Sequence, residues 1–297
     1  MKKRQINTEK LYQAVIVIIV AILVLVSLFP LIYVMGLSFT SQQEYMSRGN
    51  LMVIPFKPTL EGYRRILFRD DTYIKGLFIS ILRTGIGTAV TLACTLIMGY
   101  LLSKEDLPGR RFLLFAVMVT VLYNGGMIPT FLTVKGLGLV DTFWSMILPG
   151  MVDTWSVLVF KQFFSGLPKE VMESAEIDGC GEFRMLVQIA IPLSTAVMAA
   201  LGLFMAVGHW NSWFEPMIYL QKNTDLYPLQ LLLRNMFTNS NLGYNVNSGM
   251  QVDAANQQTT TSLRMVVTMI GTVPILCVYP FLQKYFTSGV YMGAVKG

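Results

Sequence analysis

Residues 170–192 read Glu-Val-Met-Glu-Ser-Ala-Glu-Ile-Asp-Gly-Cys-Gly-Glu-Phe-Arg-Met-Leu-Val-Gln-Ile-Ala-Ile-Pro, a charged island between two long apolar segments. Pro168 suits the first turn of a helix, where its missing N–H leaves no orphan. Glu170 and Glu173 favour the positive end of that helix's dipole. Gly179 and Gly181 supply the permissive backbone that ends one helix and turns the chain, with Asp178 just before the turn. Glu182 then opens a second helical piece, with Phe183, Leu186, Val187 and Ile189 at helical spacing, until Pro192 starts the next apolar run. Ala175 and Gly179 lie one turn apart, so one side of the first helix is nearly bare. Small, acidic and apolar positions in this order suit a helix docked into a partner's groove.

Outward from the island, the chain is that of a membrane protein. Of its 297 residues 54% are hydrophobic and 13% charged, about half the charge of a soluble domain. The net charge of +6 sits at the ends of apolar runs rather than in a stripe, which fits cytoplasmic anchoring and not nucleic acid. Cys94, Cys180 and Cys277 are too scattered for a disulfide or metal framework. After a basic head at 1–10, apolar runs are expected at 11–37, 75–102, 112–134, 142–164 (broken at Pro149-Gly150), 192–214 and 263–281, each long enough for a bilayer. The first has no cleavage site after it and reads as an uncleaved anchor. The expectation is an all-α membrane protein of six transmembrane helices, with a cytoplasmic coupling helix between spans four and five. A permease domain would fill 11–285, with the coupling segment at 168–191 and a long external loop at 215–262. A tail follows at 286–297. The basic head and the Lys/Arg of the short loops put both termini in the cytoplasm. Arg64, Arg65 and Arg69 fall in an external loop, which long loops tolerate.

The island's spacing resembles the cytoplasmic signature of permease subunits of ABC importers: Glu-Ala-Ala, three residues, Gly, nine residues, Ile, one residue, Leu-Pro. Glu173-Ser174-Ala175, Gly179, Ile189 and Ile191-Pro192 fall on it, with Ser174 for the first alanine and Ile191 for leucine. The chain is similar to carbohydrate importers over nearly its whole length. Asn124-Gly125-Gly126-Met127-Ile128-Pro129-Thr130 and the ending from Tyr279 resemble the branch that handles larger or plant-derived oligosaccharides. The resemblance implies the type I importer permease fold in a bacterial plasma (inner) membrane. It further implies a second homologous permease, two ATPase subunits, an extracytoplasmic sugar-binding protein and an oligosaccharide substrate. Glu170, Glu173, Ala175, Asp178, Gly179, Phe183, Ile189 and Pro192 would couple to the ATPase. ATP and Mg would sit on that ATPase, with no cofactor bound by this subunit. By the same resemblance, the external loop would reach toward the binding protein and the tail would enter the ATPase interface.

Other residues suggest a sugar path. Aromatic faces stack on sugar rings and amides bond hydroxyls, so Asn124, Trp155, Trp210 and Asn211 are candidates. An interfacial belt is the competing reading, preferred for Trp144 and Trp213. Asp153 and Arg83 would be costly facing lipid, and belong either to a lining or to a structural Asp–Arg pair. Lys161 snorkels at a span end. His209, the only histidine, has no companions at ligand spacing and reads as a satisfied polar residue. No phosphate loop or catalytic motif is present, so the chain is expected not to be an enzyme. An ion- or proton-coupled secondary transporter centred on Asp153 is the rival reading; it calls for inverted repeats, which the sequence does not display.

Overall fold

A bilayer leaves each backbone amide to find its partner within its own segment, so apolar runs of this length become helices. The computed structural model describes residues 2–48, 53–68, 71–241 and 261–278, and these contain helices and no strand. The helices are α1 (Lys2–Ser38), α2 (Gln42–Arg48), α3 (Glu61–Phe68), α4 (Asp71–Ser103), α5 (Arg110–Leu122), α6 (Met127–Gly136), α7 (Thr154–Ser165) and α8 (Lys169–Ile177). They continue with α9 (Glu182–Leu193), α10 (Thr195–Asn211), α11 (Phe214–Tyr219), α12 (Leu229–Asn241) and α13 (Thr261–Val278). Within α9, a π-helical turn at Leu186–Ala190 precedes Pro192, whose ring and missing N–H disrupt regular α-helical bonding.

Among the described residues, three helices are long and apolar enough to cross a membrane, or five if each of two bent pairs counts as one span. One pair is the 3₁₀ turns of Phe143–Gly150 with α7, bent by 49°; the other is α9 with α10, bent by 84°. Three expectations change accordingly. The run at 112–134 is not one helix: it breaks between α5 and α6, where Gly126 takes φ 85° and donates its N–H to Asn124 Oδ1 at 2.9 Å. Pro192 does not open the fifth apolar run but lies inside α9, and the new direction begins at Thr195. In the stretch from 215, α12 falls on the short amphipathic helix that the pattern at 227–237 predicts, but α11 precedes it where a loop is expected; residues 242–260 lie outside the described residues, as do Arg69 and the tail.

The chain forms two compact units. In one, made of residues 1–71 and 235–272, α1 is apolar on every side and exposed along most of its length. Only its end packs, with Leu37 against Tyr33, Tyr45 and Met265. Glu44 fastens the following loop by accepting from the N–H groups of Phe56 (2.6 Å) and Lys57 (3.3 Å); the Phe56 bond leads in holding its carboxyl below the usual range.

The other unit, residues 72–234 and 273–297, is built on α4. Gly76, Ser80, Arg83, Gly87, Thr91, Thr95 and Gly99 recur three or four residues apart and are all buried, a stripe of small and polar residues where other helices approach. A Cβ on Gly99 would lie 2.5 Å from Cβ of Phe160 and 3.1 Å from the Val157 carbonyl, so α7 crosses α4 in near backbone contact there. Around this crossing Leu96, Tyr100, Phe160, Phe164, Leu186, Ala190 and Leu201 form a core spanning α4, α7, α9 and α10, with Met172 of α8 packed onto it. Further along α4, Ser80 Oγ accepts from the Leu229 N–H at 2.8 Å and orients the start of α12.

Candidate functional site

Two places in the second unit carry functional chemistry. The first is the 170–192 segment. α8 ends in a paired closure: Gly179 N–H donates to the Glu176 carbonyl (3.0 Å) and Cys180 N–H to the Ala175 carbonyl (2.9 Å). This 6→1 and 5→2 pairing needs a left-handed residue between, and Gly179 supplies it at φ 78°. Met172 faces the core, which leaves Ile177 86% exposed and Phe183, the second residue of the next helix, 78% exposed. Glu170, Glu173, Asp178 and Gly179 are exposed around them, and a Cβ on Gly179 would meet nothing. Ala175 and Ile189 are half-buried, and Pro192 is exposed. Glu182, the first residue of α9, ties the segment to α4: Tyr100 Oη donates to its Oε2 at 2.9 Å and Lys104 Nζ to its Oε1 at 3.0 Å.

The second place is a cavity of about 590 Å³ between α4, the 143–150 turns, α7 and α10. Arg83 enters its wall only 2% exposed. Its Nη1 donates to the Ser212 carbonyl (3.0 Å), and its Nη2 to the Met146 carbonyl (3.2 Å) and Ser212 Oγ (3.0 Å). Its ionic partner is Glu215, at 3.6 Å. The alternative of an Asp153–Arg83 pair is therefore not the one the fold adopts. Asp153 lies at the bend between the 143–150 turns and α7, where it caps α7, accepting from the Ser156 N–H (3.3 Å) and from Ser156 Oγ, while its own N–H donates to Thr95 Oγ1 at 3.1 Å. His209 Nε2 lies 3.3 Å from Thr91 Oγ1, the satisfied polar position expected of it.

Of the expected sugar-path residues, Asp153 and Trp155 line this cavity. Asn124 stands apart at the α5–α6 break, Trp210 is buried and Asn211 is exposed, and none of these three is in the lining. Sequence reasoning missed Glu215, Ser212, Thr91 and Phe204, which do line it. One readable signal was the small-polar stripe of α4, whose 3–4 spacing marks a buried face before any partner is known. Beyond the cavity, Asp141 bridges two loops. Its Oδ1 accepts from the Lys222 N–H (2.7 Å) and the Asn223 N–H (3.2 Å), and the Lys222 bond leads in holding its carboxyl below the usual range. Among the described residues no group of acidic, histidine and cysteine side chains has the makings of a metal site.

A sequence profile of the binding-protein-dependent transport system inner membrane component family matches residues 109–291, a range that holds the whole 170–192 segment. The chain belongs to that family. Its relatives include the polygalacturonan/rhamnogalacturonan transport system permease protein YtcP of Bacillus subtilis, 39% identical over 92% of this chain and 94% of the relative. Protein LplC of the same organism is 40% identical, over 92% and 90%. The B. subtilis arabinooligosaccharides permease AraQ is 27% identical, over 96% of each chain. Among solved structures, a chain of a bacterial ABC transporter involved in the import of the acidic polysaccharide alginate superposes with a TM-score of 0.83, at 24% identity, over 94% of this chain and 98% of that one. The fold is thus that of an ABC importer permease. This family member is a permease component of a sugar importer.

Proposed function

We propose that this chain is half of the translocation pathway of an ATP-driven oligosaccharide importer in a bacterial inner membrane, and that it receives the ATPase stroke through residues 170–192. The carrying observation is the pair Ile177 and Phe183, large apolar side chains left outside on either side of a left-handed Gly179 while Met172, Met185, Leu186 and Ala190 of that segment pack inward. Exposed apolar groups rimmed by Glu170, Glu173 and Asp178 suit a groove on another protein. The partners are a second homologous permease, two ATPase subunits that hold ATP and Mg, and a sugar-binding protein outside. In this reading the chain makes six spans, α5 with α6 being the third as a broken helix, and both termini are cytoplasmic. The oligosaccharide is inferred from relatives whose names carry plant-wall polymers and arabinooligosaccharides.

The stroke has a physical route. Movement of α8 and α9 is passed by Glu182 to Tyr100 and Lys104, hence to α4. Arg83, seventeen residues away along α4 and so about 25 Å distant, carries it to the cavity wall. A rigid helix biased at both ends is the two-state element such coupling needs.

The test is a mild-detergent pull-down of the tagged protein from native membranes, with ATPase activity measured on the eluate. Co-elution of a second permease and an ATPase is expected. Gly179→Leu, which strains the left-handed position and adds bulk on the docking side, should leave insertion intact and cut uptake at least tenfold. A lone protein that transports when reconstituted alone, or normal uptake by the Gly179 variant, refutes the proposal.

A further inference from the structure

The name of one relative speaks of polygalacturonan, an acidic polymer, but the charges in this cavity do not suit one. Asp153 and Glu215 both line it, against the single guanidinium of Arg83. That guanidinium is already engaged, with its Nη groups donating to Ser212 and Met146, and it is almost wholly buried. The carboxylates are each engaged at one oxygen only. Asp153 Oδ2 takes the Ser156 bonds, and Glu215 Oε2 takes Ser212 Oγ and faces Arg83. Asp153 Oδ1 and Glu215 Oε1 accept no hydrogen bond among the described residues. Beside them Trp155 and Phe204 expose 57% and 62% of their surface.

We infer that this cavity holds an uncharged sugar unit and excludes a carboxylate, with Asp153 and Glu215 as its specificity-determining residues; the inference rests on the importer reading above. Free carboxylate oxygens are strong acceptors for sugar hydroxyls, which donate to them in short charge-assisted bonds. Trp155 offers a flat apolar face for the C–H side of the ring. A uronate brings neither fit. Its carboxylate would meet two like charges, and the Nη groups of Arg83 that could receive it already donate within the protein. Any acidic unit of the transported chain must then find its cation outside this cavity.

The test uses the complete purified importer, without its binding protein, and equilibrium dialysis of two radiolabelled probes of equal length: trigalacturonate and its fully methyl-esterified, uncharged counterpart. The ester should bind at least tenfold tighter than the acid. Glu215→Gln combined with Asp153→Asn, which keeps the α7 cap and leaves Arg83 as the net charge, should shift that ratio at least tenfold toward the acid. Trp155→Phe, by contrast, should weaken both probes and leave the ratio unchanged. Stronger binding of the acid to the wild type, an unmoved ratio in the double variant, or binding of neither probe overturns the inference. Failure of the importer reading shows separately, as the absence of a co-purifying ATPase.

Discussion

The docking segment and the cavity lie in one unit and use opposite designs. Along 170–192 the apolar side chains Ile177 and Phe183 point outward, and the acidic residues around them are solvated. In the cavity the order is reversed: Arg83, Thr91 and Ser156 are buried, Arg83 and Thr91 bonded to residues from distant stretches of chain and Ser156 to Asp153 one turn away. On the proposed reading the first surface gains stability only when a partner covers it; the second is already preorganised. The difference teaches where each can be damaged. A surface awaiting a partner tolerates substitution in folding and fails in assembly, whereas a preorganised polar wall couples folding to function.

The comparison breaks most severely at Gly99, on the helix the two regions share. Gly99→Leu must push α7 away from α4, an overpacking of about 3 kcal/mol at a backbone contact, so both the cavity and the core under α8 should be lost. Expression yield and thermal midpoint should fall together, with Gly99→Ala in between. An unchanged midpoint would mean the helices are not locked there.

Ile177→Glu should separate the two regions. The side chain touches little of its own protein, so the thermal midpoint should stay within a degree or two. The ATPase contact should weaken by about 2 kcal/mol, roughly thirtyfold, the worth of one buried isoleucine at an interface. Titration of ATPase subunit onto permease-containing nanodiscs measures this, and equal affinity would put the docking surface elsewhere.

The smallest effect is expected from Tyr100→Phe, which removes only the hydrogen bond to Glu182. Stability should drop by about 1 kcal/mol or less. Sugar taken up per ATP hydrolysed should fall a few-fold, because Glu182 then keeps only its Lys104 bond to α4. A parallel loss of ATPase activity, with the uptake ratio unchanged, would show that the bond serves folding and not transmission.

The docking segment was legible because its information is local. A proline, two acidic residues and a glycine at a helix end declare themselves between 168 and 179, and the left-handed Gly179 is what such spacing demands. The breaks were half legible. Gly125-Gly126 and Pro149-Gly150 are visible breakers, yet composition inside an apolar run did not say whether they bend a span or divide it. The 84° turn at Ser194 had no signal strong enough to announce it, since Pro192 is accommodated by the π-helical turn and the chain bends two residues later.

Composition and local spacing alone show a helical membrane protein with one polar segment between apolar runs, and the glycine turn inside that segment. Hydropathy and turn chemistry act over a few residues, so they survive without a structure. Only the tertiary structure decided that Arg83 pairs with Glu215 rather than Asp153, that Asp153 caps a helix, and that Trp155 joins the cavity while Trp210 does not. Arg83 and Glu215 meet across 132 positions of chain, and several carboxylates were within plausible reach of one guanidinium. The choice among them was made by the close crossing of helices along the small-residue face of α4.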